Sequence, residues 1–377
     1  MNGTNTPAEQ AFFEAVVNSQ VDTVKQLVAG NPELLQAYDY SCFGATPITR
    51  ICFYENRAML KTLLELGADV NRRSDWDMGP WSPLHSAVFM RNPELTNFLL
   101  DHGAELDAHT AAGLGRVDDL KRMLESSPAI VHEPGGDGCT PLHFADTNET
   151  AQLLIDHGAD VHARCVDHYS TPVQYLADKR PHVARYLFSR GATADIFSAI
   201  LADDQEVVAR LIEECPGVFD QRINQETFPP GPQHDVHNIM TFSIGGDSTP
   251  MHAAAKSNRV WAIDLLVSAG HCPNVRGGYD DATPLHLAAW NDQPEVIAAL
   301  LKHGADINVR SGEIHNNSPA GWAIVAGSAD AFQVLMDHEP EILDWFRDDA
   351  KAAVAGEFAK YKTVPQQNYD RILKRLA

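Results

Sequence analysis

The sequence is short of positive charge: 29 Lys and Arg stand against 51 Asp and Glu, for a formal net charge of −22 over 377 residues. Binding to a nucleic-acid backbone rests on neutralising phosphates with Lys and Arg, so the deficit excludes DNA and RNA as expected partners. It favours cationic ones. The six cysteines, Cys42, Cys52, Cys139, Cys165, Cys215 and Cys272, include no C-x-x-C pair. That argues against a disulfide framework or a structural zinc site, and reduced thiols fit a cytoplasmic setting. The opening MNGTNTPAEQAFFEA has neither a basic nor an apolar segment of the kind that directs secretion. No apolar run approaches the roughly 18 residues that indicate a membrane span, so no membrane partner is expected. Signatures of chemistry are missing too. There is no G-x-S-x-G, Walker A loop or H-E-x-x-H, and after Gly113-Leu114-Gly115 the residue Asp118 stands where a dinucleotide loop needs glycine. Neither a cofactor nor a catalytic residue is assigned.

What the chain does have is repetition. Residues 281–310, DATPLHLAAWNDQPEVIAALLKHGADINVR, read as two short helices and a projecting turn. Thr283 is placed to cap the first helix with Pro284 at its first position. Val296/Leu300 and Ile297/Leu301 stack at i, i+4 on the second, and Gly304 supplies a left-handed stop. Prolines in the Thr/Ser-Pro signature recur at 47, 83, 141, 172, 250, 284 and 319, with gaps of 36, 58, 31, 78, 34 and 35 residues. Four of these gaps are near a period of about 33, and each long gap predicts one further unit. Residues 109–134 and 195–222 supply them, keeping the helix pair and losing the turn; residues 8–37 are of the same kind.

The segments TPLHFA (140–145), TPLHLAA (283–289), TPMHAAA (249–255) and SPLHSAV (82–88), with LLELGADV (63–70), LLDHGAEL (99–106), LIDHGADV (154–161) and LLKHGADI (300–307), resemble ankyrin repeats. The resemblance covers about nine tenths of the chain. It implies an all-α ankyrin solenoid of about ten repeats with β-hairpin fingers. The expected organisation is repeats over 8–222, a Pro/Gly-rich insertion or lid over 223–247, repeats over 248–344 and a helical cap over 345–377. Second helices end either on Gly or on a Pro variant (Pro32, Pro128, Pro216, Pro340), in the order Pro-Gly-Gly three times and then Pro, which points to a module of three units. Where the fourth and seventh repeats lack fingers, the row is expected to open into separate pockets.

The histidines of the T/S-P-L/M-H motif, His85, His143, His252 and His286, are implied by the resemblance to be structural, bonding backbone between adjacent turns. The fingers carry the candidate site. Asp39-Tyr40, Asp75-Trp76-Asp77 with Trp81, Asp167 with Tyr169, and Tyr279-Asp280-Asp281 set carboxylates beside aromatics, and Trp290 follows on the first helix. Turn aspartates are ordinary; clustered aromatics mark interaction surfaces. An acidic, aromatic face suits an Arg- or Lys-bearing peptide. The expected function is therefore a non-catalytic scaffold for a protein or peptide partner, with Trp76 and Trp81 among its anchors. A second reading is a sugar-binding or carbohydrate-active protein, in which indoles stack on a ring and finger aspartates face one bond about 5–10 Å apart. The insertion also contains His234-Asp235-Val236-His237, a pair of metal-ligand type without an evident third ligand, and no metal is assigned to it.

Overall fold

The computed structural model describes residues 3–54, 56–224, 238–312, 317–342, 345–356 and 364–377. His234 and His237 lie outside them. The chain forms two compact units, Met1–Leu176 with His182–Ala192, and Ala177–Pro181 with Thr193–Ala377. In each unit, short helices follow one another in antiparallel pairs. Examples are Pro83–Phe89 with Pro93–Asp101 and Ala108–Gly113 with Val117–Ser126 in the first, and Pro284–Trp290 with Pro294–Lys302 in the second. Among the described residues there is no named strand. Isolated bridges, Asp39 to Ala45 and Gly277 to Ala282, are what the hairpin fingers retain.

The Thr/Ser-Pro dipeptide starts these helices for a local reason. Thr46, Ser82 and Ser318 each accept a hydrogen bond from the backbone N–H three residues on, and the following proline has no N–H to leave orphaned. At Thr140, Thr249 and Thr283 the histidine takes part as well. The threonine N–H donates to Nδ1 of His143, His252 or His286 (3.1, 3.2 and 3.2 Å), and Nε2 then donates to the carbonyl of Ser170, Ala282 or Asn317 in the next finger (3.1, 3.2 and 2.9 Å). Burial pushes all three imidazoles down to about 4, so each is neutral at pH 7 and serves as a fixed bridge between repeats. The core is the stripe between paired helices, filled by side chains such as Leu99, Leu120, Leu154, Ile263 and Leu300, all fully buried.

The C-terminal helices Phe346–Val354 and Gln366–Leu376 bury Phe346, Tyr369 and Ile372. The cations of the last helix face the helix Ala329–Asp337, with Arg371 on Asp330 at 2.5 Å and Arg375 on Asp337 at 2.8 Å. The end of the 223–247 insertion is built into a finger. Asp247 N–H donates to Ile223 O and Ile223 N–H to Ser248 O, both at 3.0 Å, and the helix Thr241–Ile244 stands on that base.

Candidate functional site

The finger-less fourth repeat is where the first unit departs most from its own pattern. With no finger to supply a carbonyl, His85 turns its Nε2 to the carboxylate of Asp107, the N-cap of the next helix, at 2.6 Å. Arg73 reaches the same oxygen at 2.9 Å, and Asp107 Oδ1 accepts from the Thr110 N–H. Burial alone would raise the Asp107 carboxyl, but its hydrogen bond to His85 holds it well below the usual carboxylate range. His109, the second residue of that helix, then takes over the histidine's bridging role. Its Nε2 donates to Glu133 O and Cys139 O at 2.9 and 3.1 Å, and burial pushes its pKa down to about 4.

The finger before the gap leans across it. Ser74 and Trp81 close its base, Ser74 N–H to Trp81 O and Trp81 N–H to Ser74 Oγ, both at 2.8 Å. At its tip Gly79 has φ +138, and its carbonyl accepts from Asp137 N–H in the fifth repeat's finger at 3.2 Å. A Cβ on Gly79 would lie 2.1 Å from Gly138 N and 2.3 Å from Gly135 O, so this contact demands glycine. Trp81 fills the space beneath. It is 4% exposed, packs at ring-centroid distances of 5.3 Å from Phe89 and 6.2 Å from Phe144, and lies over Gly136, where a Cβ would meet the indole at 2.4 Å. Its Nε1–H donates to Asp137 Oδ1 at 2.7 Å. The expected opening at the fourth repeat is thus filled on this side by the indole. A cavity of about 490 Å³ remains along the same repeat, lined in part by Leu106, Asp107, Arg122 and Met123.

Trp81 therefore orients a cluster at the tips of the fifth and sixth fingers. Asp137 has φ +57, and its carbonyl accepts the N–H groups of Val166 and Asp167 at 2.9 and 3.1 Å. Asp137 Oδ2 and Asp167 Oδ2 each lie 3.5 Å from His168 Nε2. Burial raises the Asp167 carboxyl, with the charges of Asp137 and Asp77 adding to it and His168 opposing. For His168 burial favours the neutral ring, but the two carboxylates outweigh it and the pKa is raised. Below the cluster are the buried thiols of Cys139 and Cys165. The hydrogen bond from Cys139 lowers Cys165 to about 6 against the effect of burial. Asp137 was not among the residues singled out from the sequence. Its signal there is faint: an aspartate between glycines, GGDGC, reads as a tight turn and nothing more.

The other candidate residues are distributed over both units. Asp39 is buried on Arg50 at 2.9 Å, and Tyr40 Oη donates to Asp75 Oδ2 at 2.9 Å. Trp76 is half-buried, edge-on to Phe43 at 6.3 Å, beside the exposed Asp75 and Asp77. Tyr169 is 40% exposed at φ +47, with Arg164 stacked 4.8 Å over its ring and bonded to its carbonyl at 2.7 Å. In the second unit Tyr279 is 46% exposed and donates through Oη to Thr241 O at 2.9 Å. Asp280 and Asp281 have φ +54 and +53. Asp281 pairs with Arg276 at 3.0 Å, and the half-buried Trp290 stands edge-on to Trp322 at 5.8 Å. For the carbohydrate-active reading, the finger aspartates of that unit to be paired are Asp280 or Asp281 with Asp247; Asp281 is held by Arg276 and Asp247 by Arg222, both at 3.0 Å, and Asp280 Oδ2 accepts from Ser311 Oγ at 3.5 Å.

With these helix pairs and fingers described, comparison with known proteins places the chain. The family model for Ankyrin repeats (3 copies) matches residues 12–110 and 196–311, more than half of the chain, and that for a single Ankyrin repeat matches 137–166. The chain belongs to the ankyrin-repeat family. Similar proteins include Alpha-latrocrustotoxin-Lt1a of Latrodectus tredecimguttatus, 27% identical over 147 residues, which are 36% of this chain and 10% of the toxin. Human Ankyrin repeat and SOCS box protein 11 is 33% identical over 109 residues, 28% of this chain and 31% of that protein. Putative ankyrin repeat protein YahD of Escherichia coli (strain K12) is 25% identical over 213 residues, 51% of this chain and all of that protein. The chain thus spans about a tenth to a third of the toxin and SOCS box relatives. The TPLH histidines and terminal glycines account for the ankyrin scaffold. Among the described residues no helix is long and apolar enough to cross a membrane.

Proposed function

We propose that this ankyrin-repeat chain is a non-catalytic scaffold that binds a protein or peptide partner on its finger tips, with aromatic side chains as anchors and aspartates for cationic groups. Membership of the family supports a binding role. The observation that carries the finger-tip reading is Tyr169, a bulky side chain left exposed on a left-handed backbone that such residues rarely adopt. Strain of this kind, about 1–3 kcal/mol, persists where the surroundings over-determine it and clusters at binding sites. Tyr279, beside the left-handed Asp280 and Asp281, repeats the arrangement in the second unit. The net charge of −22 favours a partner rich in Lys or Arg. No observation favours the carbohydrate-active reading, because Asp39, Asp247 and Asp281 each hold a guanidinium.

The test is capture of partners by immobilised protein, comparing wild type with Tyr169→Ala and Tyr279→Ala. Loss of a specific captured protein, with folding stability within about 1.5 kcal/mol of wild type, is the expected result, since each substitution removes one surface contact. Retention of the same captured protein by both variants would rule out finger-tip anchoring.

A further inference from the structure

We propose that Asp137, Asp167 and His168 form a binding site for one divalent transition-metal ion, with zinc the best fit to the geometry. Three donors, one from each residue, lie within 4.8 Å of one another across two neighbouring fingers. The separations are informative. His168 Nε2 lies 3.5 Å from Asp137 Oδ2 and 3.5 Å from Asp167 Oδ2, longer than an ordinary charged hydrogen bond of about 2.7–2.9 Å. Zinc bonds to imidazole nitrogen and carboxylate oxygen are about 2.0–2.2 Å, which makes each edge of a coordination tetrahedron about 3.3–3.5 Å. The two contacts match such edges.

The surroundings also have the form of a support for ligands. Asp137 presents Oδ2 because Oδ1 is held by the Trp81 indole N–H at 2.7 Å, an outer bond that orients a ligating carboxylate. Backbone bonds from Val166 and Asp167 to Asp137 O fix the two fingers relative to each other. The side chains of Asp137 and His168 are 12% and 13% exposed, so the donors are sheltered but reachable. One imidazole faces two carboxylates, with the charge of Asp77 acting on Asp167 as well, and a divalent cation would relieve the repulsion among the carboxylates. Three protein donors leave a fourth position for water, Asp77 or a group from a partner. An ion pair shared by a protonated His168 and two carboxylates makes the same contacts and predicts no metal binding.

The experiment is titration of the metal-free full-length chain with Zn²⁺ by calorimetry and with Co²⁺ by visible absorption. Expected are one ion per chain, cobalt bands of tetrahedral oxygen and nitrogen coordination, and affinity lower by more than about 100-fold in His168→Ala and Asp167→Asn. Trp81→Phe, which removes the outer bond and keeps the donors, should weaken binding by about 10–100-fold. A chain lacking His234 and His237 should bind as wild type does. Absence of zinc binding to wild type would overturn the proposal and leave the shared ion pair. So would unchanged binding in His168→Ala and Asp167→Asn, or a sulfur-to-cobalt charge-transfer band, which would assign the ion to Cys139 and Cys165. The far-UV spectrum of each metal-free variant separates lost binding from lost folding, and Asp167→Asn preserves side-chain shape if His168→Ala fails to fold.

Discussion

Trp81 and Trp76 lie on one finger and look interchangeable as exposed anchors, but their surroundings give them opposite energetic roles. Trp81→Ala removes an indole that is 4% exposed and packed on Phe89, Phe144 and Gly136. Truncating a buried Trp costs about 3–5 kcal/mol. It also takes the N–H from Asp137 Oδ1, and a hydrogen bond to a charged group contributes about 1.5–3 kcal/mol. The losses overlap because both act through one side chain, so a total near 5 kcal/mol is expected, comparable with the whole stability of a small domain. Trp81→Phe separates them. It keeps most of the packing and should lose about 2 kcal/mol. Trp76→Ala loses an edge contact with Phe43 at a half-buried position and should cost less than about 1.5 kcal/mol. Urea unfolding followed by far-UV ellipticity at pH 7 measures all three. If Trp81→Ala unfolds within about 1 kcal/mol of wild type, or Trp76→Ala is the more damaging, the bridged gap is not a structural joint.

Acidification gives another measurable loss. His109, His143, His252 and His286 have folded pKa values pushed down to about 4, below the unfolded value of about 6.5. Between those limits the unfolded chain binds more protons, so stability falls as pH falls; each imidazole should cost about 2 kcal/mol by pH 5. Urea midpoints that stay flat from pH 6.5 to 5 would contradict neutral, buried bridges. Gly79→Ala should destabilise by about 2–4 kcal/mol through its clash with the Gly138 and Gly135 backbone and its left-handed φ. Gly158→Ala, at φ +93 with no atom near its Cβ, isolates the backbone cost at about 1 kcal/mol, and equal midpoints for the two variants would show that the finger contact contributes nothing.

Much of the scaffold was legible because its causes are local. A Thr or Ser that caps, a proline without an N–H, an apolar pair at i, i+4 and a left-handed glycine act within one unit, so each repeat announces itself in about 33 residues. The loss of fingers from residues 109–134 and 195–222 was equally visible. What fills the space was not. Trp81 reads as a second exposed indole on a long finger, and nothing near it in the chain indicates the glycine of another finger, Gly136, 55 positions away, that receives it. Asp137 was missed for the same reason, because its chemistry depends on Trp81, Asp167 and His168 meeting it.

His85 and His109 show where the boundary falls. The resemblance of the sequence to ankyrin repeats implied that a histidine three residues after a capping Ser would be structural and bonded toward the next unit. The tertiary structure alone decided what it meets: the Asp107 carboxylate, because the neighbouring finger carbonyl does not exist. Repeat identity is written in short-range backbone rules and so reads directly from residue order. Which side chains converge at the finger tips depends on how far one finger leans over another, and that is set by packing between residues the sequence holds apart.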